Sequence, residues 1–159
     1  MASEIKGVSI RKQLFGRKVD RATALLPAVA ASTPLFTVSG GRVMVTSVVG
    51  QFTTAHDAVA TTAKLSAVPT VGTANNMSAV SASLTSSEIG ALLSLDGVIA
   101  TGLQASVSTS GAIPLMTKRQ IVNTGTIDLV TGTTVTAPGS VKWSMTYIPI
   151  DEGASVAAA

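Results

Sequence analysis

Residues 140–150, SVKWSMTYIPI, decide the fold class. Val141, Trp143, Met145, Tyr147 and Pro149 alternate there with Lys142, Ser144, Thr146, Ile148 and Ile150. Successive side chains of a strand leave on opposite faces, so this period of two predicts a half-buried β-strand. Trp143 and Tyr147 fall on one face, and an inward apolar face is the simplest account of both. Their alternative use is as the wall of a ligand groove or a subunit contact. Ile148 and Ile150 stand on the opposite face. Two branched aliphatics on a supposed solvent side predict that this face is covered too, by a second layer or by another subunit.

Working outward, the same texture fills most of the chain. Residues 35–38 (LFTV) and 42–49 read as strands, and Ser39-Gly40-Gly41 between them predicts a hairpin turn. Residues 61–67 alternate cleanly and end at Pro69 and Gly72, whereas residues 77–84 alternate less cleanly. Gly90, Gly97 and Gly102 cut the following stretch into the short runs 92–95 and 98–101, and further strands are expected at 113–116 and 125–131. Residues 86–91 have a serine cap for one helical turn, but no amphipathic helix of three turns is visible. Short β-runs punctuated by Gly, Pro and Asn predict an all-β fold, a β-sandwich or jelly-roll-like single domain. The expected divisions are an extended basic N-terminal arm at 1–33, a β-sandwich body at 34–153 and a flexible C-terminal tail at 154–159. No fixed-period repeat is present.

Composition narrows the chemistry. The chain has 159 residues, 46% hydrophobic, only 12% charged and 3% aromatic. An ordinary domain carries about a quarter charged residues. Here the polarity comes from 18 Ser and 21 Thr, which favour strand over exposed helix. With no cysteine there is no disulfide, thiol nucleophile or zinc–thiolate site, and one histidine excludes a multi-histidine metal site. No cofactor, metal or catalytic residue is expected, and the chain does not read as an enzyme.

The formal charge of +3 is a local property. Residues 1–21 carry Lys6, Arg11, Lys12, Arg17, Lys18 and Arg21 against Glu4 and Asp20, while residues 22–159 carry five basic and six acidic residues. The arm residues Arg11, Lys12, Arg17, Lys18 and Arg21 flank Leu14 and Phe15. Such a segment can be a solvated tail or neutralise nucleic-acid phosphates. It can also lie along a neighbouring subunit, anchored by Leu14 and Phe15. The third reading is favoured: five aromatics in the whole chain offer no base-stacking platform, so direct nucleic-acid contact is not expected. The basic region and residues 22–31 (ATALLPAVAA) only superficially resemble a secretory leader, because Asp20 and Pro27 interrupt the pattern. The uncharged run 22–41 contains Pro27, Pro34 and two glycines, so a membrane partner is not expected either.

Two acidic features bear on chemistry. His56-Asp57 is the one histidine–acid neighbour pair, and its position between strands predicts a solvated loop pair rather than a catalytic base. Asp151-Glu152, in the turn after residues 140–150, can at most hold a cation weakly, since calcium needs six to eight converging oxygens. Ser39-Gly40-Gly41-Arg42 lacks the spacing of a phosphate-binding loop.

The succession LFTVSGGRVMVTSVVGQFTT, ATTAKLSAVPTVGT, GTIDLVTG and GSVKWSMTYIPIDEGASVAA resembles a class of small tailed-bacteriophage virion proteins. The marks are the opening at residues 35–41 and the close at 139–156, and the likeness covers roughly residues 17–157. It implies a non-enzymatic structural protein, a capsid decoration or cement protein. Such a protein binds the major capsid protein on the virion surface as a homo-oligomer, by analogy a trimer. Alternatives are a head fibre, connector or tail-associated protein, or a secreted carbohydrate-binding β-sandwich. The exposed edges of a body with few charges fit self-association, since edges are otherwise guarded by charge.

Overall fold

A computed structural model describes residues 7–106, 108, 112–132 and 134–159, with only the backbone described at Gly7, Val8, Arg11 and Gln13. One helix, α1 (Gly7–Phe15), precedes eleven strands. These are β1 (Arg17–Leu25), β2 (Ala31–Ser39), β3 (Val43–Phe52), β4 (Ala63–Pro69), β5 (Asn75–Asn76) and β6 (Leu92–Ser94), followed by β7 (Gln104–Ala105), β8 (Gln120–Val122), β9 (Gly125–Thr131), β10 (Ser140–Pro149) and β11 (Ser155–Ala158). One sheet runs β1-β10-β3-β6-β7 with β8 also beside β3, and the other runs β11-β2-β9-β4-β5. Every pairing between these strands is antiparallel. The fold is therefore a small all-β sandwich, as the alternation predicts.

The two sheets meet over one apolar core. Phe36, Val38, Leu65, Ile127 and Leu129 come from one sheet, and Val45, Val48, Phe52, Met145 and Leu93 from the other. β10 supplies Val141, Trp143, Met145 and Tyr147 to that core, each 3% exposed or less. Its alternate residues Lys142, Ser144, Thr146 and Ile148 stay at least partly open. The indole of Trp143 needs space opposite, and Gly50 is its register partner on β3. A Cβ at Gly50 would lie 2.9 Å from the ring, inside van der Waals contact.

Several expectations are corrected. Gly40-Gly41 does not close a hairpin, because β2 and β3 lie in different sheets. The glycines instead turn a corner between layers, at φ of 73° and 139°. Asp151 fixes that corner. Its carboxylate accepts from the Arg42 backbone N–H (2.7 Å), from Nε (2.9 Å) and from Nη2 (2.7 Å). A Cβ on Gly41 would meet the Asp151 side chain at 2.7 Å. The paired Arg42 guanidinium holds the Asp151 carboxyl down at about 2.

Of the arm expected at 1–33, residues 1–6 lie outside the described residues, and the rest contains α1, the edge strand β1 and the start of β2. β1 pairs with β10 from Arg17 opposite Tyr147 to Leu25 opposite Ser140, with a shift between Arg21 and Ala24. Main-chain bonds to β10 define it, and the single apolar side chain packed against the core from it is Val19, so the charges hide the alternation. The tail expected at 154–159 is likewise a strand. β11 pairs with β2, Val156 is buried, and its N–H donates to Tyr147 Oη at 3.2 Å. Small residues concealed it in the sequence.

The irregular segment 77–84 completes the edge of β4 without forming a regular strand. Ser81 Oγ accepts from Ala63 N–H and Ser78 Oγ from Leu65 N–H, while Ser81 N–H donates back to Ala63 O. Residues 98–101 and 113–116, expected as strands, are turn and coil.

Gly50→Ala is expected to cost about 1–3 kcal/mol in urea unfolding, because neither the indole nor the β3 backbone can retreat. A second outcome follows from the depressed carboxyl of Asp151. Its stabilisation is present above the ordinary value of 3.8 and is lost as pH falls through about 2. Asp151→Asn should therefore be less stable than the parent near neutrality, with the gap closing on acidification across that window; denaturant midpoints at a series of pH values read it.

Candidate interaction surface at the β1 edge

The β1 edge of the first sheet gathers charged residues that the sequence concentrates near its start, with Lys18 and Asp20 on the outward face and Arg17 and Arg21 in register with the inward-facing Tyr147 and Trp143. α1 ends at Gly16, whose N–H donates to Lys12 O at 3.1 Å and whose φ is 92°, a left-handed helix stop. A Cβ there would collide with the Tyr147 carbonyl. Thr46 Oγ1 donates to Phe15 O at 2.8 Å and shares a 2.7 Å hydrogen bond with Thr146. The C-terminal end of the helix is thus pinned to the outward side of β3 and β10.

That pin explains one apolar residue on the outward face. Ile148 is half-buried, with its Cγ1 against the Gly16 corner. Ile150 lies just past β10 and is 42% exposed. Trp143 and Tyr147 are in the core, so of the four residues considered as subunit contacts only Ile148 and Ile150 reach the surface. On the helix, Ile10 and Leu14 stand four residues apart and share a face. Leu14 and Phe15 are each 61% exposed.

The cations follow the same edge. Lys12, Arg17 and Lys18 are exposed, Arg21 is half-buried, and Lys142 projects from the outward side of β10. Lys18 Nζ pairs with Asp20 at 2.7 Å, and Arg21 Nε donates to Ala159 O at 3.4 Å. Five described cations on α1, β1 and β10 thus meet one acid, Asp20; the Arg11 side chain lies outside the described residues. Beside them a groove of about 390 Å³ crosses β1, β10, β3 and β6, lined among others by Lys18, Lys142, Val49, Gln51 and Leu92. No sequence signal joins these last residues, which topology alone brings together.

The other candidates have structural roles. His56 is buried rather than solvated: its ring lies edge-on to Phe52 at 6.4 Å, with Nδ1 3.0 Å from Asp57 O. Asp57 clasps two loops, since Oδ2 accepts from Ala137 N–H (2.7 Å) and Thr136 N–H (2.9 Å), and Oδ1 accepts from Val59 N–H (3.1 Å). These amides, that of Ala137 foremost, hold its carboxyl below the usual aspartate value. Asp151 is committed to Arg42, and Glu152 is exposed. Among the described residues no three His, Asp or Glu side chains are placed to hold a metal ion, and no helix is long and apolar enough to cross a membrane.

No family model matches the chain, and neither a curated protein nor a solved structure matches it.

Replacing both Leu14 and Phe15 by serine should leave the unfolding free energy within about 0.5 kcal/mol of the parent, since exposed side chains contribute little to folding. Binding of a dye that reports exposed apolar surface should fall in the same variant.

Proposed function

We propose that this is a phage virion structural protein, a capsid decoration protein that binds the outer shell as an oligomer and bridges major capsid subunits. The observation that carries the reading is α1: a helix with Leu14 and Phe15 open to solvent and cations around them, attached to the body at its C-terminal end. Apolar side chains in that position lack cover within the subunit, which favours a partner that covers them. An element already folded on its own sheet also loses less freedom on docking than a free arm would.

The residues that carry the resemblance support the same reading. Residues 35–41 form the end of β2 and the corner between layers, and residues 139–156 contain β10, the Asp151 clamp and the start of β11. Both marks serve a rigid two-layer body, which is what a cement needs to hold two shell subunits in fixed relation. Oligomer formation is favoured by Val71, Ile99 and Ile121, which are 90%, 52% and 63% exposed near the free edges of β5 and β8. A trimer is the expected order by analogy with capsid cements. In this reading the protein is made in the host cytoplasm and ends on the capsid surface.

Co-sedimentation with particles stripped of the protein tests this. The full chain should rebind. A version lacking residues 1–15 should keep its fold, because β1 begins at Arg17, yet bind at least about tenfold more weakly, the scale of losing two buried apolar anchors. A version lacking residues 1–21 is unsuitable, since it removes half of an edge strand. Failure of the full chain to sediment with the particles, or undiminished binding after the shorter truncation, contradicts the proposal.

A further inference from the structure

We infer that the groove on the outward face of the first sheet receives an extended, carboxylate-bearing segment of the shell protein; this deepens the particle-binding reading and rests on it. The groove has two unlike flanks. On one side Lys18 of β1 and Lys142 of β10 present ammonium groups, with Arg21 behind them. On the other, Val49 of β3 and Leu92 of β6 are half-buried and apolar. Gln51 and Ser144 lie between as hydrogen-bonding groups. An extended chain sends alternate side chains to opposite sides. Lying along the groove, it directs acidic residues to the lysine flank and aliphatic residues to the Val49–Leu92 flank.

Charge selects the occupant. The lining holds three cations and the single acid Asp20, which is already paired with Lys18. That pair is open to water, with side chains 59% and 65% exposed, so exchanging Asp20 for an incoming carboxylate costs little. Among the described residues no acidic group pairs with Lys142. A second copy is disfavoured along this edge, because pairing β1 with another β1 would place Arg17, Lys18 and Arg21 of both copies in one seam. Nucleic acid is disfavoured because only one flank is cationic and Phe36, Phe52, Trp143 and Tyr147 are all buried, while the exposed Phe15 is not among the residues that line the groove.

Fluorescence anisotropy on the full chain tests the groove, with a dye-labelled peptide of alternating aspartate and leucine as probe. Its asparagine–leucine counterpart and a duplex DNA oligonucleotide are the comparisons. The aspartate peptide should bind, weaken with added salt, and lose about tenfold or more in affinity in the Lys18→Glu/Lys142→Glu double variant. The exposed reversal Lys118→Glu, outside the groove, should leave it unchanged, and both variants should melt with the parent. Equal binding of the two peptides, no binding, or an unaffected double variant overturns the inference. DNA binding tighter than the peptide and lost in the double variant overturns it in favour of a nucleic-acid surface. If the double variant still rebinds stripped particles like the parent, the groove assignment falls while the particle-binding reading stands.

Discussion

β10 must satisfy two neighbours and two faces at once, and most of the molecule follows from that constraint. Its backbone pairs with β1 on one side and β3 on the other. Its inward side chains Val141, Trp143, Met145 and Tyr147 fill the core, while Lys142, Ser144, Thr146 and Ile148 build the face that carries the candidate surface. A slip of one residue would exchange these faces, placing Lys142 in the core and the Trp143 indole in water. Gly50 guards against it, because only a residue without a side chain leaves room for the indole opposite. Tyr147 extends the same control to the second sheet through its hydroxyl on the β11 backbone.

What the sequence reveals depends on whether a segment is stabilised by side chains or by main-chain pairing. β10 alternates strongly and β9 is a compact β-branched run, and the regions read at 140–150 and 125–131 match them within one residue. β1 and β11 were hidden because their residues are mostly charged or small, and what places them is a hydrogen-bonding neighbour distant in the chain. The Gly40-Gly41 turn illustrates a different gap. Two glycines allow many turns, and the choice of corner over hairpin lies with Arg42 and Asp151, more than a hundred residues apart. The candidate surface was half legible. The cations and the Leu14–Phe15 pair stand out in the sequence, but Val49, Leu92 and Lys142 join them only once the sheet is built.

The division of polarity across the molecule has a functional logic. Most of the surface is hydroxyl-rich and close to neutral, which suits contact with many subunits through weak, short-range complementarity. Net positive charge is gathered at one edge, where it discourages self-pairing of β1 and, in the proposed reading, would steer an acidic partner. The helix pinned at Thr46 adds apolar area at the end of that same face. In the proposed reading, such a surface would rely on repetition over the shell rather than on a tight single contact.

If this chain coats a particle as proposed, its copy number on that particle reveals it. Quantitative peptide mass spectrometry of purified particles whose genome encodes this chain should give copies near stoichiometric with the major shell protein, with peptides from residues 1–21 present. A dozen copies or fewer per particle, on the order of a single symmetric ring, or complete absence, would contradict the account.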